Sequence, residues 1–173
     1  MPSTRTGSPP VRAAGGSRAY GRRRARELVL QGLYQRRLSG NAPGAIRAQL
    51  AESKGYERAD AGFFDELWRG LADDADAWVE RLAAVLDRPS AELSPIERSI
   101  LAIGAYELEA RPEIPYRVVI NEAVELAKSY GGTDGHKYVN GVLDRYAAGV
   151  RADEVARRRD TPVRARGPGA NRP

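Results

Sequence analysis

The residues best equipped for chemistry in this chain are arginines. Arg22, Arg23, Arg24 and Arg26 crowd the opening of the first segment with apolar periodicity. Each guanidinium is a planar fork that matches phosphate or carboxylate oxygens two at a time, so the run offers a polyanion a dense set of donors. At a helix N-terminus, where aligned peptide dipoles already concentrate positive charge, each such cation is disfavoured by about 0.3–1 kcal/mol. A helix start chosen for stability alone would favour Asp, Glu, Ser or Thr. The placement points to a missing anionic partner, and phosphate suits both the forks and the free N–H groups of a helix end. A solvated charged run merging with the preceding tail is the other reading of the same residues.

Single-stranded RNA also needs flat side chains on which splayed bases can stack, and Tyr20, Tyr34, Tyr130 and Tyr138 are available for that or for packing. The means of catalysis are sparse. His136 is the single histidine and there is no cysteine, which excludes thiolate chemistry and leaves nothing for a His-based metal cluster or a conventional triad. Glu122 and Glu125 beside Lys128 suit solvated ion pairs on one helix, and no glycine-rich phosphate loop follows a strand. The reading is a binding protein, not an enzyme, with no cofactor and no metal.

Charge is distributed unevenly. Residues 1–37 hold nine Arg against one acid, residues 38–150 twelve basic against nineteen acidic side chains, and residues 151–173 seven Arg against three acids. An acidic body flanked by basic ends would meet a polyanion over a limited surface. No apolar run approaches the ~18 residues that would span a bilayer, and no secretory leader is recognisable, so a cytoplasmic protein is expected.

The elements that must position these residues all have helical periodicity. Residues 1–19 and 151–173, rich in Arg, Gly and Pro, are expected to be disordered basic tails around one helical domain over 20–150. The first helix is expected from about Arg22 to Leu38, with Ala25, Val29 and Leu33 inward. Pro43 opens a second. Asp60 caps a third, with Phe63, Phe64, Leu67, Trp68 and Leu71 buried, and Asp73 or Asp74 a fourth, with Trp78, Leu82, Val85 and Leu86 buried. Ser94-Pro95-Ile96-Glu97 is a capping-box start for a central apolar helix. Pro115 opens the next helix, Gly131-Gly132 closes it, and Thr133 or Asp134 caps the last, where Gly141 costs about 1 kcal/mol unless a close helix contact recovers it. Asn121 and Asn140 are expected to satisfy buried backbone groups. The sum is an all-α bundle of about seven helices.

Several runs carry a more specific signal. Arg22-Arg23-Arg24-Ala25-Arg26-Glu27 leads to Leu33-Tyr34-Gln35; Ile96-Glu97-Arg98 leads to Ile103-Gly104-Ala105-Tyr106-Glu107-Leu108. Ile114-Pro115-Tyr116 continues through Ile120-Asn121-Glu122-Ala123 to Leu126-Ala127-Lys128, and Asp134-Gly135-His136-Lys137-Tyr138-Val139-Asn140-Gly141 completes the series. In this order they resemble the NusB transcription antitermination family over about residues 20–148. The resemblance implies two packed helical sub-bundles, binding of boxA RNA, pairing with the ribosomal protein NusE, and entry into the RNA polymerase antitermination complex. It implies RNA contact by Arg22, Arg23, Arg24 and Arg26, with Asp134, Lys137 and Tyr138 at or beside the same surface, and a NusE-facing role for Tyr34 and Glu97. A homodimer that buries the arginine face is left open. The alternative is a non-catalytic rRNA-binding or protein-interaction module like that fused to RNA cytosine methyltransferases.

Overall fold

In the computed structural model, which describes residues 13–161, every regular element is helical. The helices are α1 (Ala13–Ser39), α2 (Pro43–Ala51), α3 (Ala61–Leu71), α4 (Ala75–Glu80), α5 (Pro95–Ala110), α6 (Tyr116–Tyr130), α7 (Gly135–Val150) and α8 (Ala152–Asp160), with short 3₁₀ turns at Tyr56–Arg58, Ala83–Val85 and Ser90–Glu92. Local chemistry sets most of the starts. The Asp60 carboxylate accepts from the Phe63 N–H at 3.0 Å and Asp74 from Ala77 at 3.0 Å. Ser94 and Glu97 close the capping box from both sides, at 3.2 and 3.1 Å.

Helix α5 is the spine. Ser99 through Ala105, Glu107 and Leu108 are all buried, so it meets neighbours on every side. The α1–α2–α3 group and the α6–α7 pair both pack against α5, α4 packs on α5 with bonds to α1 and α3, and all share a continuous core. Three helical glycines mark close side-chain approaches, the tightest at Gly70, where a Cβ would meet the Tyr106 ring. A Cβ at Gly104 would stand 2.7 Å from Leu143 on α7, and one at Gly32 2.5 Å from the Trp68 ring on α3. Gly141 has no such reason, because only the tip of Arg145 comes within 3.4 Å of its virtual Cβ.

The structure corrects several expectations. Helix α1 begins nine residues before Arg22, through the good helix formers Ala13, Ala14, Arg18 and Ala19. The arginines therefore sit mid-helix, where the N–H groups are already bonded, and the argument from a helix N-terminus lapses. Residues 152–160 form α8 instead of a disordered tail; the expectations for 1–12 and 162–173 fall outside the described residues. Helix α4 stops at Glu80 and gives way to a 3₁₀ turn, leaving Trp78, Val85 and Leu86 half-buried while Val79 and Leu82 enter the core. Asn121 and Asn140 are exposed and satisfy no buried group.

Candidate nucleic-acid interface

The four arginines have four different environments, set by the 100° step between successive helix positions. Arg26 points into the core. It is 2% exposed, donates to the Glu107 carboxylate through contacts of 3.2, 3.0 and 2.8 Å, and stacks its guanidinium 4.9 Å from the Phe63 ring centroid. Burial pushes the Glu107 carboxyl above its ordinary range, with Arg26 pulling against that. Arg26 is a structural residue. The expectation that it contacts RNA is corrected: an ion pair closed off from solvent has no donor left to offer.

Arg24 is half-buried and committed to its own scaffold. It pairs with Glu27 at 2.9 Å and donates to the carbonyls of Lys54 and Gly55, tying α1 to the loop after α2. Arg22 lies between these extremes. It packs 4.9 Å from the Phe63 centroid, its nearest carboxylate is Asp60 at 3.9 Å, and its buried Nε has no hydrogen-bond partner. Burial, then the guanidiniums of Arg18 and Arg111, lower its pKa from the ordinary arginine value, the signature of a cation whose surroundings match it poorly. Arg23 is the accessible member. Nearly half of its side chain is exposed, and it makes a two-point contact with Glu122 on α6 at 3.0 and 2.9 Å. An exposed pair of this kind is worth about 0–1 kcal/mol, so a phosphate can take over the fork at little cost.

From Arg23 an exposed strip follows α1 and α6 toward the start of α7. Glu122 and Tyr130 lie eight residues apart on α6, about 12 Å along the axis. Tyr130 is 38% exposed; burial and then the Glu27 charge raise the pKa of its hydroxyl, with Arg24 opposing. Beyond the Gly131-Gly132 turn, Asp134 precedes α7 but its side chain caps nothing; it pairs with Lys137 at 3.3 Å, and both side chains are more than 70% exposed. Tyr138 is half-buried, with its hydroxyl unpartnered and Arg88 stacked 4.1 Å from its centroid. The accessible members of the expected set, Arg23, Asp134 and Lys137, thus lie along a strip, the form that suits a strand, whereas Arg24 and Arg26 are withdrawn from it.

Tyr34, 37% exposed, lies farther along α1, one helical turn before Leu38 at 66%. Leu38 was missed from sequence, although an apolar residue four positions after an exposed tyrosine would have marked the face. Glu97 is half-buried, with its carboxylate spent on the capping box and 3.4 Å from the position of a Cβ at Gly135. Between the end of α1 and the start of α5 lies a groove of about 360 Å³ lined by Leu33, Arg36, Arg37, Asp76 and Arg98.

The NusB family model matches residues 23–148. The chain belongs to the NusB family. Among curated NusB proteins, the transcription antitermination protein of Ralstonia nicotianae is 57% identical over 138 residues, covering 80% of this chain and 89% of that one. That of Nitrosomonas eutropha is 50% identical over 163 residues, covering 93% and 96%. The solved NusB of T. maritima matches the fold with a TM-score of 0.67 at 28% identity, over 78% of this chain and 96% of that one. The strip from Arg23 to Lys137 lies inside the NusB match, whereas α8 lies beyond it.

Proposed function

We propose that this chain is a transcription antitermination factor that holds a boxA-type single-stranded RNA on the α1–α6–α7 strip while an adjacent face takes the ribosomal protein NusE. The observation that carries the reading is the pairing of NusB-family membership with a strip whose cations are accessible or poorly matched. Arg23 and Lys137 supply phosphate affinity, Arg22 adds field from below, and Tyr130 offers a ring to a splayed base. Asp134 can accept from a base edge because it caps no helix. Tyr34 and Leu38 supply exposed apolar surface for the protein partner, with Glu97 at the neighbouring start of α5. No bond is made or broken. The protein would act in the cytoplasm as an adaptor that brings RNA and NusE together and enters the RNA polymerase antitermination complex.

Fluorescence anisotropy of labelled boxA RNA, titrated with the chain alone and with NusE present, tests this. Tighter binding with NusE supports the adaptor. Binding of NusE with no affinity for boxA RNA in either titration would favour the protein-interaction module instead.

A further inference from the structure

Helix α8 lies outside the region that defines the family, yet it is firmly docked. Arg151, buried at its start, donates to the carbonyls of Leu108, Ile114, Glu107 and Arg111 at 2.6, 3.0, 3.3 and 2.9 Å and to Glu154 at 2.6 Å. Glu154 in turn accepts from the Tyr116 backbone N–H at 2.9 Å and so caps the first turn of α6. Val155 completes the seat from inside. This clasp fixes Arg158 and Arg159 across a groove of about 370 Å³ from Arg117 and Arg145.

The groove is strongly one-signed, with four guanidiniums lining it against the single carboxylate of Asp144. Arg145 is occupied by the Val85 carbonyl and Asp87. Among the described residues, Arg117, Arg158 and Arg159 have no carboxylate within 4.0 Å, whereas Arg22, Arg23, Arg24, Arg26, Arg98 and Arg111 all do. Arg158 and Arg159 gain from the C-terminal end of the α8 dipole, but Arg117 stands in the first turn of α6, where the dipole opposes it. Apart from the α8 dipole and the Tyr116 ring 5.5 Å from Arg117, no ion pair within 4.0 Å among the described residues compensates these three cations.

We propose that the α6–α8 groove is a second nucleic-acid contact, one that grips the phosphate backbone of single-stranded RNA without reading its bases. Its one ring, Tyr116, is 3% exposed, so the groove offers neither a stacking platform nor the aromatic anchor that a protein partner would use. Helices α6 and α7 are antiparallel neighbours, so this groove and the Asp134–Lys137 region lie at opposite ends of a hairpin about 24 Å long. The second contact would therefore serve RNA that flanks the boxA segment.

The test compares a boxA-length RNA with the same RNA extended by a flank of unrelated sequence, both by anisotropy on the full chain. In the triple variant Arg117→Ala/Arg158→Ala/Arg159→Ala, affinity for the extended RNA should fall by roughly tenfold and its log–log salt slope by about 2, at ~0.7 per phosphate contact. Affinity for the short RNA should stay unchanged. The matching triple Lys variant should retain most of the binding, because phosphate contact needs charge more than geometry. Equal loss on both RNAs, loss on neither, or an effect confined to binding of an acidic protein would each overturn the proposal. Failure of the boxA reading itself would be visible separately, as absent binding of the short RNA by the unmodified chain.

Discussion

Removing Arg26 should damage the fold and not the RNA site. The Arg26→Ala variant leaves Glu107, 1% exposed, without the three N–H···O contacts that now balance it. Breaking a buried pair from one side costs about 3–5 kcal/mol, because the surviving charge stays desolvated. With a urea slope of about 2 kcal/mol per molar for a domain of this size, the unfolding midpoint should fall by about 1.5–2.5 M. The deficit should also depend on pH. Burial already holds the Glu107 carboxyl above its ordinary value, and loss of Arg26 raises it further. A carboxyl with a raised folded-state pKa contributes most stability when protonated, so the deficit should shrink as the pH falls toward the unperturbed Glu value of ~4.3 and widen as the pH rises. Replacing both partners, Arg26→Met with Glu107→Leu, should recover most of the loss. Chemical denaturation across pH, combined with boxA titration of the folded variants, reads all of this. A midpoint shift near zero together with weakened RNA binding would refute the assignment of Arg26 to the core.

Other consequences are more local. Gly141→Ala should raise the unfolding free energy by up to about 1 kcal/mol, because only a flexible arginine tip is near, whereas Gly104→Ala should lower it by about 1–3 kcal/mol against Leu143; thermal melts of the two compare them directly. Arg151→Ala should cost about 1–3 kcal/mol and speed amide exchange in α8 beyond that in α7, since four carbonyls lose their donor; uniform protection would count against the clasp. Burial raises the Glu154 carboxyl, but the Tyr116 N–H and Arg151 outweigh it and hold its pKa below the ordinary value. The stability from this lowered pKa is present above the unfolded-state value of ~4.3 and is lost as the pH drops through the folded one, so α8 should loosen in acid; amide exchange of α8 over that range checks it.

Much of the fold was legible because the signals that set it are local. Asp60, Asp74 and the Ser94–Glu97 box each sit within three residues of the groups they bond. The arginines were harder to sort, since four identical side chains differ only by helix phase. A clue to Arg26 was present: Arg26, Val29 and Leu33 share one face, and Glu107 is the one charged residue in the run from Ile100 to Leu108. Reading those together would have paired the two in the core. The extension of α1 and the docking of α8 were not legible. Gly15 and Gly16 argue against a helix, and α8 is held chiefly by Arg151 reaching carbonyls some forty residues away in sequence, a contact that periodicity does not encode. The strip from Arg23 to Lys137 was recognisable as a set of residues, but its accessibility depends on tertiary contacts.

The most direct test removes Arg23 and Lys137, the exposed cations at the two ends of the strip, one beside Glu122 on α6 and the other in the first turn of α7. Both make only surface ion pairs, so Arg23→Ala/Lys137→Ala should leave the melting temperature nearly unchanged. Its affinity for boxA RNA should fall by roughly tenfold or more, with the salt slope reduced by about 1.4 for two lost phosphate contacts. Unchanged affinity and an unchanged slope in a folded variant would show that RNA does not bind along this strip.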